Sequence, residues 1–193
     1  VRVLHYDCKN GKQLFSHEKV VKTADGLAKS GMINDEAVGR VITALQEMQE
    51  KVDFGAAPLR AVTTEAVRRA SNSDEVLQKI EKETGVSFEV ISGDEEAKLT
   101  LLAAKNRLEK LHYASDTFVL VDIGGGSTEL IFHYGHESFS KSFPIGIVTI
   151  AQSFENLESI AEALPREMFE MQKFCAELYA TKGKPDSFVA TAG

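Results

Sequence analysis

A run of three glycines between two strand-like segments most constrains the fold of this chain. A strand-like run covers positions 117–122, three glycines follow at 124–126, and a second strand-like run covers 128–134. Glycine lets the backbone turn tightly and lets peptide N–H groups come close to a ligand. The pattern predicts a buried strand, a glycine turn and a second strand, and a third strand-like run follows at 137–143.

The residues beside the glycines suggest a phosphate-binding turn. Successive N–H groups in such a turn form a concavity that binds anions. Asp122, at the end of the strand, is suited to hold a metal ion or its water shell, and Glu129 is close enough in sequence to reach the same cleft. A dinucleotide fingerprint is excluded because Glu129 takes its third glycine position, and no Gly-Lys-Ser/Thr of a P-loop follows. A plain glycine-rich hairpin turn is the alternative, and the acidic and hydroxyl flanks favour phosphate.

Two segments of the chain share one order of elements, namely a meander of strands, then a helix, then a strand. In the first segment, Asn10-Gly11 between strand-like runs predicts a hairpin, and an apolar stripe over 38–52 predicts a helix with Asn34 as its N-cap. The first segment lacks one strand that its counterpart has. We therefore predict a two-domain α/β chain, with residues 1–114 in one domain and 115–193 in the other. Because the chain opens and closes inside strand-like stretches, we expect a piece of a longer protein.

The remaining elements follow from periodicity and capping signals. Short strands are predicted at 58–62 and 86–91, a helix at 73–84, a helical region at about 164–180, and a last strand from Ser187. Ser92 fits a capping box with Glu95 and opens a helix to about residue 111. The buried side of that helix is predicted to comprise Leu99, Leu102, Ala103 and Leu108.

Two charged residues outside the glycine turn are also candidates. The capping box accounts for the presence of Glu95. Glu96, the other acid in the first helical turn, could face a cleft, and the common alternative is a solvated glutamate on the helix surface. Arg60 lies where a strand leads to a helix and could clamp a phosphate through its planar guanidinium. The alternative for Arg60 is a surface ion pair with Glu65 or Asp74, and spacing does not separate the two.

Composition excludes several classes of protein. The 193 residues carry 22 basic and 29 acidic side chains, a net charge of −7, which argues against broad, non-specific nucleic-acid binding. No apolar run is long enough to cross a bilayer, and no signal peptide opens the sequence. Cys8 and Cys175 cannot form a disulfide scaffold, and the histidines have no metal-like spacing. We expect a cytoplasmic protein without a membrane or nucleic-acid partner.

Three sequence blocks resemble the exopolyphosphatase/guanosine pentaphosphate phosphohydrolase (Ppx/GppA) family, in the actin-like ATPase superfamily. The blocks run from Arg60 to Ala70, from Val90 to Leu99 and from Leu120 to Leu130, in family order with matching spacers. The resemblance implies two actin-like (ribonuclease H-like) domains with mixed sheets flanked by helices, and an active site in the cleft between them. The family's opening strand with its phosphate loop and the rest of the second domain are absent. The fragment alone is therefore expected to be weakly active or inactive.

The resemblance also implies roles for individual residues. By position, Glu96 matches the general base that activates the attacking water, and Asp122 and Glu129 match the neighbourhood of a Mg²⁺ cofactor. The phosphate-binding positions implied by the resemblance are Arg68, Gly124, Gly125, Gly126, Ser127 and Gly193. Gly193 would begin a further phosphate-facing loop.

The function implied by the resemblance is hydrolysis of a phosphoanhydride, with release of terminal orthophosphate from inorganic polyphosphate. Hydrolysis of guanosine pentaphosphate uses the same cleft, and no feature of the sequence decides between the two. A kinase or chaperone-like ATPase of the same superfamily is an alternative function. The Ser-Gly-Asp-Glu-Glu-Ala-Lys block favours the hydrolase branch instead. A non-catalytic phosphate- or nucleotide-sensing module is another, although a pure binder needs no general base. A homodimer is compatible with the family.

Overall fold

The computed structural model describes residues 1–192, which divide into two compact units, Val1–Val90 and Ile91–Gly193. The helix that begins at Gly93 belongs to the second unit because its apolar side packs against the second sheet. The predicted domain boundary near residue 115 stays a prediction. The two compact units divide earlier, after Val90, because this helix packs with the second sheet.

The first unit contains two small sheets and four helices among its described residues. In chain order these are β1 (Arg2–Asp7), β2 (Lys12–Glu18), α1 (Leu27–Ser30), α2 (Asp35–Gln49), β3 (Val62–Thr63), α3 (Glu65–Arg69), α4 (Ser73–Thr84) and β4 (Glu89–Val90).

The predicted hairpin is confirmed as the antiparallel pair β1–β2. The Asp7 carboxylate accepts hydrogen bonds from the backbone N–H groups of Lys9 (2.9 Å) and Asn10 (3.2 Å), which stabilises the turn. Gly11 has a φ of 63°, a left-handed conformation that glycine adopts without strain. Asn10 and Gly11 therefore lie in the turn of the predicted hairpin, which spans the four residues between Asp7 and Lys12.

Helix α2 carries the predicted apolar stripe and N-cap. The Asn34 side chain accepts a hydrogen bond from the N–H of Ala37 at 2.8 Å. Val38, Val41 and Leu45 are buried and pack with residues of α4 in one hydrophobic cluster. This cluster is the core of the first unit.

The two short strands of the first unit are shorter than the sequence predicts. Strands β3 and β4 pair in parallel over two residue pairs, Val62 with Glu89 and Thr63 with Val90. Within the part of the chain that the structure describes, each has only this one partner. A strand with one short neighbour has few ladder hydrogen bonds to extend it.

The second unit has one four-stranded sheet with helices on both faces. Its elements are α5 (Gly93–Lys110), β5 (Thr117–Ile123), β6 (Thr128–Tyr134), β7 (Glu137–Phe143), α6 (Ile147–Ser153), α7 (Leu157–Glu167), α8 (Phe169–Lys182) and β8 (Ser187–Ala192). The sheet order is β7-β6-β5-β8. β5, β6 and β7 form an antiparallel meander and β8 is parallel to β5, so the predicted mixed sheet is confirmed in this unit.

Alternation of side chains along β5 and β6 divides the core of the second unit between two faces. Phe118, Leu120 and Ile131 form one hydrophobic cluster with Ala97 and Ala104, which belong to α5. On the other face, residues of the three meander strands cluster with residues of α8, including Val119, Phe132, Phe143, Met171 and Leu178. A strand covered on both faces explains why β5 and β6 read as nearly continuous apolar runs.

The predicted buried side of α5 is confirmed for Leu108 but wrong for Leu99, Leu102 and Ala103, which are exposed. Leu99 and Leu102 are 41% and 57% exposed, whereas Ala97 and Ala104 are buried. The side that packs on the sheet comprises Ala97, Leu101, Ala104 and Leu108. Steps of four, three and four residues keep these side chains on one helical face, and Leu99 and Leu102 fall outside it.

The predicted helical region at 164–180 is two helices rather than one. Helix α7 begins earlier, where the Asn156 side chain accepts a hydrogen bond from the N–H of Ser159 at 2.9 Å. It ends shortly after Pro165, and α8 follows. Proline has no N–H to donate to the preceding turn, which weakens the helix around it. Helix α6 was not predicted at all.

No helix in the described part of the chain is long and apolar enough to cross a membrane.

His133 predicts a pH dependence of stability. Its buried ring contacts the Lys105 ammonium group (Nε2 to Nζ, 3.2 Å) and the Ser138 hydroxyl (Nδ1 to Oγ, 3.0 Å). Burial, and secondarily the charge of Lys105, lowers the pKa of His133 below its ordinary value of 6.5. The unfolded chain then binds the proton more readily than the folded one, so the free energy of unfolding falls as pH drops below about 6.5.

We expect Lys105→Gln to raise the pKa of His133, read from the ring resonances in an NMR titration, and to flatten this loss of stability in urea unfolding between pH 5 and 7. Lys110→Gln, on the same helix, is the matched control and leaves both unchanged. An unchanged His133 titration in Lys105→Gln contradicts the assignment.

Candidate active site

Four polar side chains form a row across the second sheet. In the strand register, Ser142 lies opposite Glu129, Glu129 opposite Asp122, and Asp122 opposite Thr191. Residues directly opposite one another point to the same face of a sheet. The row continues the face that packs on α5, two residues beyond the apolar Leu120 and Ile131. The two carboxylates singled out in the sequence are therefore neighbours across two strands.

Two hydroxyl groups hold the Glu129 carboxylate. Glu129 is buried (5% exposed), and its Oε1 accepts hydrogen bonds from Ser127 Oγ at 2.6 Å and Ser142 Oγ at 2.8 Å. A buried carboxylate needs such donors because it has lost its hydration. The orientation of Glu129 is thus set by the glycine turn on one side and by β7 on the other. Ser142 was not recognised from the sequence, since only the strand register reveals its position.

The carbonyl groups of the glycine turn are bound by the first turn of α6. The N–H of Ile147 donates to Gly124 O at 3.0 Å, and the N–H of Val148 donates to Gly125 O at 2.9 Å. Within the turn, Gly124 N–H donates to Ser127 O at 2.9 Å. Donors at the start of a helix that lack intrahelical partners are satisfied here by the turn.

The N–H groups of Gly125, Gly126 and Ser127 remain as the donors of this turn. They donate to no acceptor among residues 1–192. Three consecutive donors beside a serine form the type of backbone cradle that binds phosphate oxygens. The structure thus brings together Asp122, Glu129 and the predicted phosphate-binding residues 124–127.

Gly146 is a further residue on which the turn depends, and sequence reasoning missed it. A Cβ atom at this position would lie 2.4 Å from Gly125 O and 2.6 Å from the carbonyl carbon of Gly126. Side chains do not approach backbone so closely, so only glycine fits. The signal in the sequence is a lone glycine before an apolar segment, which does not indicate a contact with residues twenty positions away.

Gly124 and Gly125 are required because neighbouring atoms leave little room for a side chain, and not because of unusual dihedral angles. A Cβ on Gly124 would lie 3.3 Å from Ser127 O, and one on Gly125 would lie 3.4 Å from the Val148 side chain. Neither residue has a positive φ. Close packing against the turn and α6 therefore accounts for these two positions.

Glu96 lies in the first turn of α5, which the predicted N-cap opens. Ser92 Oγ accepts a hydrogen bond from the N–H of Glu95 at 3.1 Å. Further along α5, Lys105 contacts His133 on β6. Glu96 precedes Lys105 by nine residues, about 13 Å of helix. The role of Glu96 as general base stays a prediction.

The other candidates belong to the first unit or lie outside the described residues. Arg68 belongs to α3 of the first unit, where its guanidinium contacts the Glu65 carboxylate at 2.7 Å. Arg60 makes an ion pair with Glu89 at 3.2 Å. The phosphate-binding role of Arg68 stays a prediction, and Gly193 lies outside the described residues.

The two carboxylates of the polar row fit a Mg²⁺ ion that is coordinated partly by the protein and partly by the substrate. Asp122 and Glu129 offer hard oxygen ligands, and no group of three or more His, Cys, Asp or Glu side chains with metal-binding geometry occurs among residues 1–192. Mg²⁺ is commonly bound through one or two carboxylates with waters and substrate phosphates completing its octahedron. Asp122 and Glu129 are the residues that would hold it here.

The fold of this chain matches solved structures of one class of phosphatase. Its whole length aligns with the Aquifex aeolicus PPX-GPPA enzyme, with a TM-score of 0.72, 28% identity and 64% of that chain covered. An exopolyphosphatase from Cytophaga hutchinsonii has the same fold, with a TM-score of 0.82 at 24% identity and 62% of that chain covered.

The chain belongs to the Ppx/GppA phosphatase family, whose model matches residues 6–184. Exopolyphosphatase 1 of Mycobacterium leprae is 29% identical over 187 residues, which is 92% of this chain and 53% of that protein. An uncharacterised Streptomyces coelicolor protein is 32% identical over 158 residues, 80% of this chain and 46% of that protein. The chain thus spans about half the length of the curated relatives it matches.

The close contact at Gly146 predicts that Gly146→Ala destabilises the turn. The added methyl group would overlap the Gly125 carbonyl, and relief of such overpacking costs about 1–3 kcal/mol. Chemical denaturation should report this loss, and the amide resonances of residues 124–127 should shift in NMR spectra. Gly39→Ala is the control: a Cβ there meets no atom within 4 Å, and alanine favours helix α2. Equal stability of the two variants would rule out the contact.

The hydroxyl contacts predict that Ser142→Ala destabilises the second unit. Loss of one of the two donors to the buried Glu129 carboxylate costs about 1–3 kcal/mol. Ser140→Ala is the matched control, because Ser140 lies two residues away on the same strand and face and is exposed. We expect urea unfolding to separate the two variants. Identical midpoints would mean that Ser142 does not hold Glu129.

Proposed function

We propose that this chain carries the phosphate turn and the general base of a phosphoanhydride hydrolase that releases terminal orthophosphate from inorganic polyphosphate. The observation that carries the proposal is the glycine turn, whose three consecutive N–H donors lie beside two paired carboxylates. Membership of the Ppx/GppA family, with relatives named exopolyphosphatase, supports the substrate class.

The chemistry assigns a separate task to each group. Phosphoanhydride hydrolysis requires an oriented water, neutralisation of charge on the phosphoryl oxygens, and a leaving group in line with the attack. Glu96 would accept the proton of the attacking water and orient its lone pair. The N–H groups of Gly125, Gly126 and Ser127 would donate to the phosphoryl oxygens, where negative charge gathers. Arg68 would add a guanidinium donor from the first unit.

When bound, Mg²⁺ would supply positive charge that neutralises the phosphate oxygens. Asp122 and Glu129 would hold it together with water and substrate. The Ser127 and Ser142 hydroxyl groups keep the Glu129 carboxylate in one orientation. This arrangement explains why a glutamate that is almost fully buried is placed at the edge of a phosphate-binding turn.

The choice of substrate is tested by offering polyphosphate, guanosine pentaphosphate and ATP in parallel to the full-length gene product with Mg²⁺. Release of orthophosphate from polyphosphate supports the proposal. Release from guanosine pentaphosphate alone moves the protein to the other branch of the family, and turnover of ATP alone makes it an ATPase. Binding of polyphosphate without release makes it a sensing module.

The role of Glu96 predicts that Glu96→Gln lowers the rate of phosphate release by about 10²–10⁴-fold. The amide keeps the size of the side chain and removes its basicity, so circular dichroism and polyphosphate binding should stay unchanged. Asp94→Asn, an exposed acid in the same helical turn, is the control and should keep wild-type activity. A Glu96→Gln enzyme with the wild-type rate would exclude Glu96 as the base.

A further inference from the structure

Helix α3 carries one carboxylate that contacts two arginine side chains. Arg68 Nη2 donates a hydrogen bond to Glu65 Oε2 at 2.7 Å, and Arg69 Nη1 lies 3.6 Å from the other carboxylate oxygen, Oε1. Residues three and four positions apart in a helix are neighbours on its surface, so α3 brings the three side chains together. Each oxygen of Glu65 therefore contacts a different guanidinium group.

The pair of Glu65 and Arg68 is partly shielded from solvent. Their side chains are 19% and 25% exposed, whereas those of Arg60 and Glu89, an ion pair of the same unit, are 58% and 57% exposed. An exposed ion pair holds its side chains weakly, because water screens the charges and both side chains lose rotamer freedom. A shielded, charge-assisted hydrogen bond of 2.7 Å is stronger. Glu65 therefore restrains the orientation of the Arg68 guanidinium.

The backbone of α3 is anchored in the core of the first unit, but the helix alone does not fix the arginine side chain. Val67 and Ala70 are buried in the hydrophobic cluster that includes residues of α2 and α4. The N–H of Arg68 donates to Thr64 O at 3.0 Å, which holds its backbone in the helix. An arginine side chain has several rotatable bonds, and ordering them costs entropy. The contact with Glu65 supplies that order before any ligand arrives.

We propose that Glu65 is a positioning residue, which holds the Arg68 guanidinium in the orientation that donates to a phosphate oxygen of the substrate. The inference rests on the proposed function, in which Arg68 binds phosphate. The guanidinium has five N–H donors in one rigid plane, so a bond to one of them sets the direction of the others. Order that exists before binding reduces the entropy lost when the ligand is bound, which raises the affinity.

The second arginine explains how a carboxylate can lie beside a phosphate-binding guanidinium. Glu65 carries one negative charge, and Arg68 and Arg69 carry one positive charge each. The three side chains together therefore keep a positive net charge, which attracts a phosphate rather than repelling it. A carboxylate paired with Arg68 alone would cancel that charge.

The test measures binding of diimidotriphosphate, a tripolyphosphate analogue in which NH groups replace the bridging oxygens and resist hydrolysis. Isothermal titration calorimetry of the full-length gene product with Mg²⁺ gives the Kd. Glu65→Ala releases the guanidinium, so we expect the Kd to rise about tenfold. Glu65→Gln keeps a carbonyl oxygen that accepts from Arg68, and its Kd should return to within about threefold of that of the unsubstituted protein.

Glu47→Ala is the matched control. Glu47 lies on α2 of the same unit and accepts a hydrogen bond from Lys19 Nζ at 2.6 Å, so this variant also breaks an ion pair. We expect the control to bind the analogue as the unsubstituted protein does. Circular dichroism of each variant checks that it is folded.

A second pair of variants separates positioning from a purely structural role. Arg68→Ala removes the group that contacts phosphate in the proposal, and in that background Glu65→Ala should change the Kd by less than about twofold. A residue that acts through Arg68 has no effect once the Arg68 side chain is absent. A residue that only stabilises the unit would still weaken binding there.

Four results would overturn the proposal: no binding of the analogue, binding by Glu65→Ala as tight as that of the unsubstituted protein or tighter, the same loss of affinity in the Arg68→Ala background, or unchanged binding by Arg68→Ala. Release of orthophosphate is measured separately. A protein that binds the analogue but releases no orthophosphate from polyphosphate overturns the hydrolase proposal, and the Kd values still decide the role of Glu65.

Discussion

The register between β5 and β6 is the constraint on which the candidate site depends. Seven consecutive residue pairs, from Thr117 with Tyr134 to Ile123 with Thr128, place Asp122 directly opposite Glu129. Because successive side chains point to opposite faces, a slip of one residue by either strand would turn the carboxylate of that strand toward the α8 side. Burial of Phe118, Leu120 and Ile131 under α5 and of Val119 and Phe132 under α8 prevents that slip. The hydrophobic core thus fixes the position of the chemistry.

A second constraint is the contact between the glycine turn and α6. The first N–H groups of α6 bind the carbonyls of Gly124 and Gly125, and Gly146 lets the two segments approach. With its carbonyls bound, the turn retains N–H groups as its available donors. A preorganised set of donors binds developing negative charge without the cost of reorientation, which is what phosphoryl transfer demands. The Ser127 and Ser142 hydroxyls impose the same kind of order on Glu129.

Sequence reasoning succeeded where a local signal determines the structure. The β5–β6–β7 meander, α4 and the N-caps of α2 and α5 follow from alternation, glycine turns and capping side chains within a few residues. It failed where the partner is distant. The buried side of α5 was misjudged because leucines were taken as its core, whereas small alanines let the helix approach the sheet. Gly146 and Ser142 gained their importance only from neighbours far along the chain.

From its sequence alone, this protein could be assigned to an α/β fold, to a glycine turn with flanking carboxylates and to its family, because each rests on residues adjacent in the chain. The tertiary structure decided which side chains share a face and which peptide groups the turn leaves available. Those properties depend on strand register and on packing between residues separated by tens of positions. Local propensity carries no information about such contacts, since they form only when the sheet and helices assemble.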